Sequence, residues 1–303
     1  METFLQNLLN GIAAGSIYAL IALGYTMVYG VLKLINFAHG DVFMVGAFVG
    51  FYAGRWLAAR GLAGEAAGLG GAVLVMALAM IACGILGYLN ERIAYRPLRN
   101  APRVASLITA IGVSFFLEYG GQMVFGPDPK FFPTLVPKTI ITLGGITTTN
   151  YQFIVLGVAV AFMALLQYII YATKFGRAMR AVSFNYETAS LMGIPTDRII
   201  STTFVIGSML AAVAGILYGL SYPKIDPLMG IMPGLKAFVA AVLGGIGNVP
   251  GAMAGGLIIG VVEAFVGGSQ WSSYRDAIAF VILIVILLVR PSGLFGRYEP
   301  EKV

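Results

Sequence analysis

The amino-acid sequence predicts an all-α integral membrane protein: a polytopic helical bundle of about eight spans, with broken or half-helical segments and an inverted repeat. Three observations carry this. Of 303 residues, 59% are hydrophobic and 11% charged, where a soluble domain carries about 25% charged residues. Mean hydropathy is +0.89. Uncharged runs long enough to cross a bilayer, about 20 residues, recur from end to end. The length alone would suit two soluble domains, but so few charges cannot cover a soluble surface, and disorder needs the opposite composition. The single cysteine, Cys83, excludes a disulfide scaffold, and one cysteine with one histidine excludes a Cys/His zinc site.

The apolar runs are 3–32, 66–90, 151–173, 199–223 and 237–262, with three shorter or interrupted ones. The first of these, 42–54, continues past Arg55 towards Leu57. Residues 104–117 continue past Glu118 to Phe125. Residues 277–289 follow Trp271 and Tyr274, an aromatic anchor of the kind found at membrane interfaces. The chain begins Met-Glu-Thr-Phe, without the basic stretch of a secretory signal, so the first run is expected to remain in place. Nothing is left over for a soluble domain, and residues 1–303 read as one membrane domain with a cytoplasmic loop at 174–198.

Lysine and arginine set the orientation. They cluster at 91–103 (Arg92, Arg96, Arg99, Arg103), at 174–198 (Lys174, Arg177, Arg180, Arg198) and after residue 289 (Arg290, Arg297, Lys302). These three stretches are expected on the cytoplasmic side, and loops 126–150 and 224–236 on the other. The net charge of +6 is then loop charge, not a nucleic-acid footprint. Parity forces one more division. From 174–198, three full spans would leave the tail outside, so 237–262 must turn back. Its middle reads Gly-Gly-Ile-Gly-Asn-Val-Pro-Gly (244–251). The proline removes a helix hydrogen bond and glycine frees the backbone. The expectation is a half-helix over 236–247 and a returning helix over 251–267.

A comparable break, Lys33 to Asp41, follows the first run. Interrupted segments in each half are the sequence signature of a transporter pathway, so Asn36, His39, Asp41, Gly245, Gly247, Asn248 and Pro250 are the candidates to line it. Intramembrane ionisable groups are functional candidates in their own right, which adds Glu118 and Glu263. Asp41 has two readings: a cap on the helix that begins there, or a pathway group. Small residues at four-residue spacing, such as Gly11 and Gly15 or Gly247, Gly251 and Gly255, favour close helix packing. No P-loop pattern is present, and one histidine allows no Ser/His/Asp set.

The 174–198 loop reads as a short basic amphipathic helix ended by Gly193 and Pro195. Such a helix rests on lipid headgroups or docks in a partner's groove. Glu187-Thr188-Ala189 with Gly193 resembles the EAA…G coupling segment of ABC importer permeases, with Thr188 in place of the middle alanine. Leu34-Ile-Asn-Phe-Ala-His-Gly-Asp41, Gly176-Arg-Ala-Met-Arg-Ala181, Ala189-Ser-Leu-Met-Gly-Ile194, residues 238–251 and Arg290-Pro-Ser-Gly-Leu-Phe-Gly296 together resemble the branched-chain amino acid ABC importer permeases of the LivH type, along essentially the whole chain.

That resemblance implies a non-enzymatic permease of the bacterial inner membrane. It would pair with a second, LivM-like permease, two ATPase subunits that bind the ATP, and a periplasmic amino-acid-binding protein. This chain would hold no cofactor. Arg177, Arg180, Glu187, Ala189 and Gly193 would form its ATPase-coupling surface. Three rival readings are a urea or short-chain amide permease of the same family, a proton-coupled secondary transporter working through Asp41, Glu118 or Glu263, and a channel.

Overall fold

The computed structural model describes residues 2–62, 68–99, 101–143 and 146–296. Arg297 and Lys302 of the basic tail lie outside them. The described chain runs α1 (Glu2–Leu32), α2 (His39–Ala58), α3 (Gly68–Asn90), α4 (Arg103–Phe125), β1 (Lys130–Phe131), β2 (Ile140–Leu143), β3 (Ile146–Thr149), α5 (Asn150–Ala172), α6 (Lys174–Phe184), α7 (Tyr186–Leu191), α8 (Thr196–Ser221), β4 (Lys224–Ile225), α9 (Ile231–Gly244), α10 (Val249–Gly267) and α11 (Arg275–Val289). Among the described residues, seven helical stretches are long and apolar enough to cross a membrane. α2 has the length, 20 residues, but carries His39, Asp41 and Arg55. α9 has 14 residues, about 21 Å at 1.5 Å per residue, too short for a hydrocarbon core of about 30 Å.

Burial sorts the helices into a centre and a rim. The apolar stretch of α1 is 89% buried and that of α8 72%, against 22% for α4 and 6% for α11. An apolar helix buried all round belongs inside a bundle, and one apolar on its outer face meets lipid or a partner. α1 reaches the centre through small residues: a methyl at Gly11 would lie 2.6 Å from the Val261 Cα and one at Gly256 2.5 Å from the Ala19 Cα. Only backbone-to-backbone contact fits there.

The expected turn in 237–262 is present, as α9 and α10. Asn248 caps α10, its Oδ1 accepting from Gly251 N at 3.1 Å. Pro250 falls where a helix needs no amide hydrogen. Gly245 and Gly247 take φ of +100° and +94°, open to glycine and costly to other residues. The residues after α11 close over this turn. Leu294 N donates to Leu243 O at 2.8 Å, Phe295 N to Gly244 O at 3.1 Å, and Asn248 Nδ2 to Phe295 O at 2.7 Å.

Three features differ from expectation. Loops 126–150 and 224–236 are not plain loops: β1 pairs antiparallel with β4, Lys130 opposite Ile225, and β2 with β3. Residues 222–230 then return into the bundle, where Ile225 and Met229 are buried. Pro223 and Pro227 hold the preceding residues extended, which a charge count reads as surface loop. The surface helix at 174–191 is two helices, α6 and α7, broken at Asn185, whose side chain caps α7 through Thr188 N at 2.8 Å.

The α1–α10 crossing generates a test. Gly256→Val should drive the two backbones apart, lowering stability by about 1–3 kcal/mol and the midpoint of thermal unfolding in detergent. Gly157→Val, at a position with nothing within 4 Å of an added Cβ, should leave the midpoint near wild type.

Candidate functional site

The breaks do not pair as the sequence suggested. The chain leaves α1 at Lys33, a left-handed residue (φ +55°), and re-enters a helix at His39. Gly40, in the first turn of α2, meets Gly230, the residue before α9. A methyl on Gly40 would lie 2.7 Å from Gly230 O and 3.2 Å from the Gly234 Cα. Two helix N-termini therefore abut inside the bundle. From that point α2 runs to the end where Lys130 Nζ donates to Tyr52 OH at 2.8 Å, and α9 runs to the opposite end, where the C-terminal strip closes. The partner of the first break is thus 222–230. The glycine-rich 244–251 forms the separate turn under that strip, so Gly245, Gly247, Asn248 and Pro250 are not brought together with Asn36, His39 and Asp41.

Those three residues form the interior cluster. Asn36 Oδ1 accepts from Tyr95 OH at 2.8 Å, tying the break to a π-helical turn, Glu91–Tyr95, that continues α3. The His39 imidazole lies over Gly24 of α1 and edge-on to Tyr25, centroids 4.9 Å apart. Asp41 is 2% exposed. α2 starts with no side-chain cap, and the Asp41 carboxylate accepts instead from Ser114 Oγ on α4 at 2.5 Å. Glu118, one turn along α4 and also buried, faces the same hydroxyl. Asp41 thus stands in the first turn of α2 and also joins a carboxylate–hydroxyl–carboxylate group between α2 and α4.

Glu263 belongs to a second buried group. Lys236 Nζ of α9 donates to Glu263 Oε1 of α10 at 2.9 Å and to Asp276 Oδ1 of α11 at 2.5 Å, and Arg275 Nε donates to Glu263 Oε1 at 2.5 Å. Beside it a cavity of about 480 Å³ opens at the end where β2 and β3 lie. Its lining includes Asn7, Asn10, Gln152, Glu263 and Arg275, with Gln152 Nε2 donating to Asn10 Oδ1 at 2.5 Å. The sequence reading missed Asn7, Asn10, Gln152 and Lys236. Their signal was available: amides and a lysine set in otherwise apolar stretches.

At the other end lie the basic stretches 91–99 and 174–198 and the start of the tail. Arg96 and Arg99 pair with Asp197, and Arg99 also with Glu91. Within 174–198 the candidates divide. The Arg180 guanidinium turns back onto the carbonyl of Ile170 at the end of α5, and Arg177 is exposed. Glu187, in the first turn of α7, is exposed, whereas Ala189 is buried against the bundle. Gly193 has φ +81° with open space around it, the helix-ending geometry its sequence suggests. Ser183 Oγ donates to Gly30 O of α1, binding this surface to the central helix. The sequence reading passed over the most prominent feature, three projecting apolar side chains: Phe184, Leu191 and Met192, 91%, 88% and 78% exposed. Their signal was large apolar residues at the ends of a charged stretch.

A multi-pass helical bundle with interrupted helices meeting inside it is the architecture of a transport permease. The family model for the branched-chain amino acid transport system permease component matches residues 7–287, and the chain belongs to that family. It is 44% identical to the high-affinity branched-chain amino acid transport system permease protein BraD of Pseudomonas aeruginosa, over 99% of this chain and 98% of that one. It is equally 44% identical, with the same coverage, to LivH of Escherichia coli strain K12. A probable LivM permease of Methanocaldococcus jannaschii is 26% identical over 75% of this chain and 69% of its own length.

The Lys236 group carries its own test. Removing Lys236 takes one of two cations from the buried Glu263 carboxylate and leaves it to Arg275 alone, a loss of up to about 3–5 kcal/mol. Lys236→Met should lower the detergent unfolding midpoint markedly, and Lys236→Met with Glu263→Gln should recover part of the loss. An unchanged midpoint in the single variant would show that water reaches the group.

Proposed function

We propose that the chain is the membrane-spanning permease subunit of an ABC importer for branched-chain amino acids in a bacterial inner membrane. It works beside a second, LivM-like permease, with two ATPase subunits and a periplasmic amino-acid-binding protein, and ATP is bound by the ATPases. The observation that carries this reading is identity of 44% with BraD and LivH over essentially the full length.

The geometry supports a mechanism. α7 with Phe184, Leu191 and Met192 offers an ATPase groove apolar anchors beside the Glu187 carboxylate. A short helix seated in such a groove moves when the ATPases close. Its movement passes to α1 through the Ser183–Gly30 hydrogen bond and to α8 through residues 192–196. Gly40 and Gly230 touch backbone to backbone, so this conformation leaves no passage between the two helix ends. Separating α2 from α9 would expose backbone amides and the Asp41–Ser114–Glu118 group to a passing zwitterion. Selection among substrates rests mainly with the binding protein. The urea or short-chain amide reading and the proton-coupled reading are tested by the same experiment: ATP-dependent uptake of labelled leucine, urea and acetamide in vesicles holding the complete complex, with and without a proton gradient. Uptake of leucine that needs ATP and ignores the gradient supports the proposal.

Glu187→Lys and Gly193→Val test the coupling surface. A β-branched residue at φ +81° costs on the order of 1–2 kcal/mol, enough to disturb the end of α7, and the lysine reverses the charge offered to the ATPase. Both variants should insert in the membrane normally, pull down less ATPase and lose most substrate-stimulated hydrolysis. A loop that only rests on lipid would tolerate Glu187→Lys, and normal coupling in both variants would overturn the assignment.

A further inference from the structure

The outer surface between α3 and α8 carries a feature that the transport reading does not use. Met80, Ile81, Gly84, Ile85 and Tyr88 of α3 and Val205 and Met209 of α8 line a notch of about 250 Å³ with almost no polar surface. The notch exists because the two helices close tightly just beyond it: a methyl at Gly87 would collide with Ser208, while one at Gly84 would only touch Val205 and Met209 at 3.4 Å. Its stripes are regular. Residues 81, 85, 88 and 92 follow one face of α3 and its continuation, and 198, 202, 205 and 209 one face of α8. The two stripes run antiparallel, with Ser201 Oγ donating to Glu91 at 2.6 Å and Arg99 meeting Asp197.

Both stripes end on an arginine at the basic end of the bundle, Arg92 and Arg198. Each is exposed. Along the two helices towards that end, Arg92, Arg96, Arg99 and Arg198 stand beside the carboxylates of Glu91 and Asp197 in the sequence. Those carboxylates are taken by Arg96 and Arg99, and among the described residues neither Arg92 nor Arg198 has an ion pair. Arg198 precedes Val205 by seven residues, about 10 Å along the helix, the separation of a headgroup from the upper part of its acyl chain. A dry, chain-width notch at membrane depth below two uncompensated cations complements one kind of molecule.

We propose that the α3–α8 notch is a binding site for an anionic phospholipid, with an acyl chain against Gly84 and Met209 and the phosphate held by Arg92 and Arg198. Basic sites between spanning helices on this side of a membrane suit such headgroups, and an acyl chain in the notch adds contacts that a mobile lipid lacks.

The test uses the purified full chain with its co-purifying subunits, probed with phosphatidylglycerol and, for comparison, phosphatidylcholine in mixed micelles. Wild-type protein should retain phosphatidylglycerol through purification, by mass spectrometry of extracted lipid, and bind it about tenfold or more tightly than phosphatidylcholine. Arg92→Gln with Arg198→Gln should abolish that preference, and Gly84→Leu should weaken both lipids by filling the notch. Phosphatidylglycerol should also raise the unfolding midpoint of wild type and leave that of the double arginine variant unmoved, a readout that a merely destabilised variant does not mimic. Equal binding of both lipids by wild type, an unchanged preference in the arginine variant, or a disulfide between Gly84→Cys and the partner permease would each overturn the assignment.

Discussion

The contact between Gly40 and Gly230 is the constraint on which the rest of this bundle depends. Two helices begin head to head in the interior, and each must be reached by chain that is not helical. That requirement explains the break at 33–38 and the extended return of 222–230. Irregular backbone at membrane depth survives only when protein surrounds it, which is why α1 and α8 are buried on nearly every side. Two helix N-termini facing each other also bring like partial charges together. A carboxylate in the first turn of α2 offsets them, and this gives Asp41 a physical reason to be buried. Ser114 orients that carboxylate, and Glu118 beside it adds further negative potential.

α9 is the element held least by its own length and most by its surroundings. At one end it abuts α2. Along its side Lys236 ties it to α10 and α11. At its far end the C-terminal strip supplies amide donors to the carbonyls of Leu243 and Gly244, which a helix end otherwise leaves without partners. A short helix fixed at three points moves as a rigid piece.

Much of this architecture was legible in the sequence because apolar runs mark the helices of the bundle and arginine counts group the segments that share one end of it. The division of 237–262 followed from parity, since an odd number of crossings contradicted the basic tail, and Pro250 supplied the place. The re-entry at 222–230 escaped because Lys224 and Asp226 read as surface, and burial of that segment depends on Phe132 and the β1–β4 pairing, which are remote in sequence. The joining of Asp41 to Ser114 and Glu118 likewise spans more than seventy residues and needs the packing of α4 on α2. Asn185 was a local signal that helical periodicity outweighed: an asparagine inside a helix-favouring stretch is a capping residue for the next helix.

The strip of residues 290–296 has a consequence for how the molecule is made. It supplies hydrogen bonds that complete the α9–α10 turn, and it leaves the ribosome after both of those helices. Until it docks, the carbonyls of Leu243 and Gly244 and the Asn248 amide lack these partners, so the turn is finished only after residues 290–296 have followed both helices out of the ribosome. A molecule cut short before Leu294 would carry the same spans and an open turn, with packing left incomplete where α9 meets α10.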